Sequence, residues 1–503
     1  MKRIILTTDK TLASDYNGSE FLGFAACSPT FLPTLIFERL FCPPLPKEDG
    51  RAKFANCGVR KIEAALLQAG FKRKEVIVVR PQDIKKFLDD NTVAVGITTN
   101  DPLGLGPASS TFSSLVGKET YSAVCFRELL KEIRPYARKY NIKIVVGGPG
   151  AWQLGDERLL TKYGVDCLCI GEGEITGVEI FKKIANGEEI PRIVYGEVVP
   201  LEKIPNIVNP TINGLVEIAR GCGRGCRFCN PTMLNYRCRE LKDILKEVRI
   251  NATHGLGALL HAEDVLRYKA DGVIPREDKV IELFKEVLKI VKEPSKVGIS
   301  HFAFASVLAK PNLVEEISEL LDVGSKDYPW FSGQVGIETG SPRLAEKYMR
   351  GKAKPFDVRE WPSLVKEAFK FLHENNWVPC ATLISGLPGE EADDVIKTIE
   401  LVEDLKDYKS LIVPLFFVPI GTLRDENFFL ARNLLPEHWQ LLAKCIEHDL
   451  KWIYILIDEH LRKMKMKKYV IKLCVRIIER KLEPHLKIMK EGIDPLQYES
   501  RKS

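Results

Sequence analysis

The chain has 503 residues, 45% hydrophobic and 28% charged, with a formal net charge of +6; this length exceeds one ordinary core and predicts roughly two to four globular domains. Thirteen cysteines are too few for a disulfide scaffold, and the modest charge excess does not by itself imply nucleic acid. The longest apolar run, residues 411–423, is interrupted by Pro414 and Pro419 and is too short to span a bilayer.

Met1-Lys-Arg is followed by only a short apolar stretch before Asp9, so no signal peptide is expected and the reading is cytoplasmic. Up to about residue 200, β-rich runs at 4–8, 76–79, 93–99, 142–147 and 167–171 alternate with helical stretches such as 58–69 and 126–140. This alternation predicts an α/β domain with a doubly wound, Rossmann-like parallel sheet over residues 1–200. Ligands of such sheets lie beyond the carboxyl ends of the strands. Here those ends carry residues 100–110, with Gly104 and Gly106, then 147–150, with Gly147 and Gly148, and 171–174. Glycine-rich turns at neighbouring strand ends are expected to leave room for a large flat ligand. The segment 21–46 holds five prolines and reads as an ordered lid; residues 186–212 read as a proline-spaced connector.

A second domain, 201–430, again alternates strands and helices. Strand candidates at 214–218, 258–261, 298–304, 333–337, 380–384 and 412–417 number the six that a partial (β/α)6 barrel needs, and the active site of such a barrel lies at the carboxyl ends of its strands. Trp330 and Phe331 read as core aromatics. Residues 431–503 form a helical, basic C-terminal region: 461–490 hold eleven lysines or arginines against Glu479 and Glu483.

After the first barrel strand, residues 219–229 read Ala-Arg-Gly-Cys-Gly-Arg-Gly-Cys-Arg-Phe-Cys. Cys222, Cys226 and Cys229 fall at C-x3-C-x2-C spacing. A 4Fe-4S cluster takes four thiolates, so three leave one iron open to a substrate or cofactor. Structural zinc sites are closed by four ligands, and Cys238, the only nearby fourth cysteine, is not expected to be a ligand. Gly221, Gly223 and Gly225 let the backbone fold tightly round a bulky cluster, and Phe228 adds an apolar wall. Arg220 and Arg224 are candidates to steady an anionic cluster. Polar or glycine-rich residues follow the later strands: His261, Glu263 and Asp264, then Glu338, then Gly386 and Pro388. His261, His301 and Tyr268 are candidates for proton handling, with structural roles favoured.

The cysteine loop resembles that of the radical S-adenosylmethionine (radical SAM) enzymes. The order of the preceding pieces, with Val-Val-Gly-Gly-Pro at 145–149 and Ile-Gly-Glu-Gly-Glu at 170–174, resembles the cobalamin-binding domain found before the barrel in one group of them. The resemblance implies a 4Fe-4S cluster, S-adenosylmethionine chelated at the open iron, and reductive cleavage of a C–S bond. It implies that Glu263 or Asp264 accepts the ammonium of S-adenosylmethionine, that Glu338 contacts its ribose or amino acid part, and that Gly386 and Pro388 lie near its adenine. Cobalamin would rest on the loops of Gly104, Gly106, Gly147 and Gly148. All eight histidines lie at or after His254 and the D-x-H-x-x-G signature is absent, so no imidazole of this domain would ligate cobalt.

Residues 104–111 and 214–222 are similar to an archaeal branch that includes the tetraether lipid ring-forming synthases. The leading expectation is therefore carbon–carbon bond formation on a membrane lipid. The alternatives are a cobalamin-dependent C-methyltransferase on a soluble or protein substrate and a non-catalytic iron–sulfur or cobalamin sensor. The implied partners are a small-molecule or lipid substrate and a reductant such as ferredoxin or flavodoxin, with no nucleic acid. The basic helical segment 461–490 adds a possible peripheral contact with an anionic membrane.

Overall fold

The computed structural model describes residues 2–18, 23–230, 234–460, 465–495 and 498. Residues 21–22 of the lid and 461–464 of the basic segment lie outside them. Packing divides the chain into two units, Met1–Val216 with Arg239–Ala258, and Glu217–Cys238 with Leu259–Ser503.

In the first unit, β1 (Arg3–Thr8), β2 (Val76–Val78), β3 (Thr92–Thr98), β4 (Lys143–Gly147), β5 (Cys167–Ile170) and β6 (Ile193–Tyr195) form one sheet in the order β2-β1-β3-β4-β5-β6. Every pairing in it is parallel. Successive residues of a strand point to opposite faces, and both faces are covered. Ile5, Val95, Ile97, Ile144 and Val146 pack against Phe126, Leu129, Leu130 and Ile133 of helix Tyr121–Tyr140. Ile4, Leu6, Ala94 and Val145 pack with Val59 and Leu66 of helix Cys57–Gln68 and with Val178, Phe181 and Ile184 of helix Thr176–Asn186. The doubly wound sheet is thus as expected, with one addition: β6 lies inside the stretch read as connector. Three residues between prolines give too short a pattern to stand out, and pairing with β5 on one side makes them an edge strand. The order reverses between β1 and β3, which sets the ligand-binding edge of such a sheet at their carboxyl ends.

The barrel strands are β7 (Leu215–Glu217), β8 (Ala258–His261), β9 (Val297–Ile299), β10 (Phe331–Glu338), β11 (Trp377–Ser385) and β12 (Leu411–Phe416). They make two sheets, β9-β8-β7 and β10-β11-β12. A parallel bridge between His301 and Gln334 joins β9 to β10, with Gln334 N–H donating to Ser300 O at 2.8 Å and Phe302 N–H to Gln334 O at 3.0 Å. The six strands therefore follow one another in chain order. The third is shorter than residues 298–304: the strand ends at Ile299 and helix Phe304–Ala309 begins where a strand was expected. Its sequence, Phe-Ala-Ser-Val-Leu-Ala, is apolar enough for either structure, and burial of Phe304, Ala305 and Val307 is met equally well by a helix.

Phe331, fully buried, packs on Trp377 with centroids 4.6 Å apart and the rings tilted by 55°, and Trp361 Nε1 donates to Ile337 O at 2.9 Å; Trp330 is buried as well. Two long helices, Pro436–His460 and Lys465–Lys490, complete the second unit. Among the described residues no helix is long and apolar enough to cross a membrane.

Candidate functional site

The cysteine loop leaves β7 through a short antiparallel ladder in which Ala219 and Arg220 face Cys238 and Arg237. Gly221, Gly223 and Gly225 have φ of +70°, +70° and +73°, in the left-handed region that glycine enters without penalty. Three such turns in five residues curl the loop back on itself. Cys222 and Cys226 are 4% and 2% exposed, Phe228 is buried, and Cys229 is half-buried. Two bare backbones press against the loop from elsewhere in the unit. A Cβ on Gly351 would lie 1.8 Å from Arg224 O, and one on Gly421 would lie 2.7 Å from Arg227 O. Arg227 O also accepts from Thr422 N–H at 3.0 Å, and Arg227 N–H donates to Tyr348 O at 2.9 Å.

Three cations surround the thiols. Arg267 Nη1 donates to Cys222 O at 2.9 Å and stands 3.9 Å from its Sγ, while its guanidinium covers the Tyr236 ring at 5.0 Å. Arg224 is buried; its Nη1 donates to the carbonyls of Gly351, Lys352 and Lys354 at 3.0–3.2 Å. Lys352 forms an ion pair with Glu338 and faces Cys226 and Cys229. Burial pushes the Cys226 thiol up to about 12 against the opposing pull of Lys352. Burial and the Asp264 charge raise Cys222, opposed by Arg224 and Arg267. Metal binding at these thiols must therefore release protons. Buried thiols, a turn of left-handed glycines and surrounding cations fit an anionic multi-iron cluster better than zinc. Cys238 is engaged elsewhere: its Sγ accepts from Lys269 N–H at 3.3 Å and donates to Ile218 O at 3.8 Å.

Glu263 and Asp264, adjacent in sequence, do different things. Asp264 is 3% exposed and is bound by Arg224 at 3.1 Å and by Ser306 Oγ at 2.6 Å, so one of its oxygens anchors the arginine of the cysteine loop; its Oδ1 has no partner. Glu263 is half-buried, its carboxyl raised by burial against the charges of His261 and Lys352. Glu338 has φ of +65°, a conformation that costs a non-glycine residue strain, at a register shift in the β10–β11 pairing. Its second oxygen accepts from Thr382 Oγ1 at 3.4 Å. Gly336 makes room for the pair, since a Cβ there would lie 1.8 Å from Glu338 Oε1 and 2.4 Å from Lys352 Nζ.

Gly386, with φ of +86°, donates its N–H to Glu390, which holds His438 at 2.9 Å. Pro388 O accepts from Tyr348 Oη and from Lys347 Nζ, and Tyr348 O is the acceptor for Arg227, so this turn is tied to the cysteine loop through one tyrosine. His261 Nδ1 lies 2.9 Å from Ser300 Oγ, and its ring meets His301 edge-on at 5.8 Å. Burial and His261 hold His301 down to about 3. Tyr268 is 2% exposed and part of the core. Arg220 is paired with Glu217 at 2.6 Å. Sequence reasoning missed Lys352 and Arg267; only the glycine beside Lys352, Gly351, hinted at a close approach.

In the first unit the loops after β3 and β4 lie together. A Cβ on Gly148 would meet Thr99 O at 2.7 Å and one on Gly150 would meet Asn100 O at 2.3 Å. Gly106 N–H and Gln153 Nε2 both donate to Asp101 Oδ1, at 2.8 and 2.7 Å. A Cβ on Gly104 would meet Thr120 Oγ1 at 2.7 Å, whereas at Gly147 it would find only ordinary contact. The glycines at 104, 148 and 150 thus serve close approach between chain segments, which qualifies the expectation that they simply leave space. The buried hydroxyl of Thr99 has no partner. A polar ligand group at the strand ends fits this edge, which carries no imidazole.

Residues 216–402, which include the cysteine loop, match the family model for the Radical SAM superfamily, so the chain carries a radical SAM domain. An uncharacterized protein of Methanocaldococcus jannaschii is 24% identical over 417 residues, covering 71% of this chain and 78% of that protein. The ribosomal protein uS12 methylthiotransferase RimO of Clostridioides difficile is 23% identical over 53% of this chain and 57% of its own length. The tRNA-2-methylthio-N(6)-dimethylallyladenosine synthase of Orientia tsutsugamushi is 23% identical over 58% of this chain and 62% of its own. The chain thus spans less than two thirds of these two enzymes. In fold it is similar to the radical S-adenosylmethionine methyltransferase TsrM from Kitasatospora setae, solved with cobalamin and a 4Fe-4S cluster bound: TM-score 0.54, 15% identity, covering 84% of this chain and 77% of that one. A second structure of TsrM, with tryptophan substrate and an S-adenosylmethionine analogue, gives a TM-score of 0.51.

Proposed function

We propose that the chain is a radical SAM enzyme of the cobalamin-dependent kind that transfers a methyl group to a carbon of its substrate. The observation that carries this reading is the combination, in one chain, of the three-cysteine loop with a sheet of order β2-β1-β3-β4-β5-β6, a combination whose likeness to TsrM runs over 84% of the chain. Three of the similar proteins named above, TsrM, RimO and the tRNA-2-methylthio-N(6)-dimethylallyladenosine synthase, carry names that state methyl or methylthio chemistry. Methyl transfer therefore stands ahead of the lipid ring formation expected from the sequence, for which the comparisons offer no support.

Cys222, Cys226 and Cys229 would hold the cluster, and the loops of residues 100–110 and 147–150 the corrinoid. When bound, the cluster supplies an open iron and one electron, and the corrinoid a methyl carrier. The chain's own residues prepare the site. Arg267, Arg224 and Lys352 offset the negative charge of three thiolates in a buried place, where unpaired charge is costly. Glu338, held by Lys352 and Thr382, presents a carboxylate positioned by contacts within the protein. Glu263 offers a second carboxylate past the end of β8 for an ammonium group.

The test is anaerobic reconstitution with iron, sulfide and hydroxocobalamin, followed by reduction in the presence of S-adenosylmethionine. A retained corrinoid spectrum and release of S-adenosylhomocysteine support methyl transfer. Release of 5′-deoxyadenosine and methionine alone, from protein that retains no corrinoid, overturns it.

A further inference from the structure

The last long helix, Lys465–Lys490, carries nine lysines and arginines against two glutamates. Near its C-terminal end Leu486 and Met489 are buried. Tyr469, Leu473, Ile477 and Ile478, by contrast, are 70%, 58%, 48% and 54% exposed. Tyr469, Leu473 and Ile477 recur every fourth residue and so lie along one side of the helix. Arg476, Arg480 and Lys481 are exposed beside them. Lys468 and Lys472 turn instead to Asp458 of helix Pro436–His460, so the positive charge beside the apolar line is that of Arg476, Arg480 and Lys481.

An exposed row of large apolar side chains marks a contact surface, and the charge beside it selects the partner. A second copy of this helix would bring its own basic residues against these, which repel. A phosphate backbone would reward the arginines and leave leucine and isoleucine in water. An anionic bilayer rewards both sets, the acyl boundary taking the apolar line and the headgroups the cations. We infer that this face of helix Lys465–Lys490 seats on an anionic lipid surface. The contact is peripheral and independent of what the barrel methylates.

Flotation of the full-length protein with phosphatidylcholine vesicles, with and without phosphatidylglycerol, tests the inference. The wild type should float only with the anionic vesicles, and salt should weaken the association by screening. Replacing Leu473→Glu and Ile477→Glu together should abolish flotation. Replacing Arg476→Gln, Arg480→Gln and Lys481→Gln together should weaken partitioning on the order of a hundred-fold, at the worth of a basic residue near an anionic leaflet. All five side chains are exposed, so these variants should keep the wild-type circular dichroism. Wild-type protein that stays unbound to anionic vesicles at low salt overturns the inference without any variant. So does a Leu473→Glu, Ile477→Glu protein that floats like the wild type, or one in which the same changes split a dimer seen by sedimentation.

Discussion

The ammonium of Lys352 is bound to the carboxylate of Glu338 and at the same time faces the thiols of Cys226 and Cys229. The two side chains are 15% and 10% exposed, so the pair sits in a place where each charge depends on the other. Lys352→Met leaves Glu338 without its counter-charge and should destabilise the protein by about 3–5 kcal/mol. The double variant Lys352→Met, Glu338→Gln should recover most of that in a denaturant titration, because both charges are then gone. Iron uptake on reconstitution should stay low in both, since neither retains the cation beside Cys226. A double variant that takes up iron like the wild type would assign Lys352 to stability alone.

Two glycines of the site separate space from backbone conformation. Gly225 has φ of +73° with nothing near the position of a Cβ, so Gly225→Ala should cost only the left-handed penalty, about 1–2 kcal/mol. At Gly351 the obstacle is the backbone of the cysteine loop itself, 1.8 Å from the added carbon. Gly351→Ala must displace Arg224 and should cost more than Gly225→Ala in thermal or denaturant unfolding, with a matching loss of reconstituted iron. Equal effects would show that the loop moves freely away from residue 351.

Much of this site can be read from the sequence because its main element is local. The spacing of Cys222, Cys226 and Cys229 and the glycines among them are set within eleven residues, and the left-handed angles at 221, 223 and 225 follow from glycine alone. The doubly wound sheet is legible for a similar reason: strands buried on both faces leave continuous runs of Val and Ile. What stays hidden depends on contacts between distant segments. Lys352 is one lysine among many until the short helix Arg350–Ala353 brings it to Glu338 at the end of β10. Asp264 and Glu263 look equivalent in sequence, and only Arg224, forty positions earlier, separates the anchored carboxylate from the half-open one. Residues 239–258 pack with the first unit although they follow the cysteine loop, and Glu247 of that segment forms a buried ion pair with Lys61 at 2.6 Å. No local pattern announces that pairing.

His448 gives a pH dependence that can be checked without any cofactor. It is 5% exposed, its Nε2 lies 2.8 Å from Ser410 Oγ, and its Nδ1 has no partner. Burial, reinforced by Lys451, holds it down to about 4. A histidine in the unfolded chain titrates near pH 6.5, so on acidification the unfolded state takes up a proton that the folded state resists. Stability should therefore be full above about pH 6.5 and fall as pH drops toward 4, by up to about 3 kcal/mol from this group. His448→Gln should flatten the decline measured by denaturant unfolding between pH 6.5 and 4.5. An unchanged slope would mean that the His448 proton is not excluded by folding.

We propose that three thiolates, and no fourth from Cys238, hold one cluster with an iron left open. The most direct measurement is electron paramagnetic resonance of the anaerobically reconstituted, reduced protein before and after S-adenosylmethionine is added, with iron counted in parallel. Wild type and Cys238→Ala should each hold about four irons per chain and give a cluster signal whose g values shift on addition. The Cys222→Ala, Cys226→Ala, Cys229→Ala protein should show neither iron nor signal. A cluster retained in that triple variant, lost in Cys238→Ala, or indifferent to S-adenosylmethionine in the wild type would contradict the account.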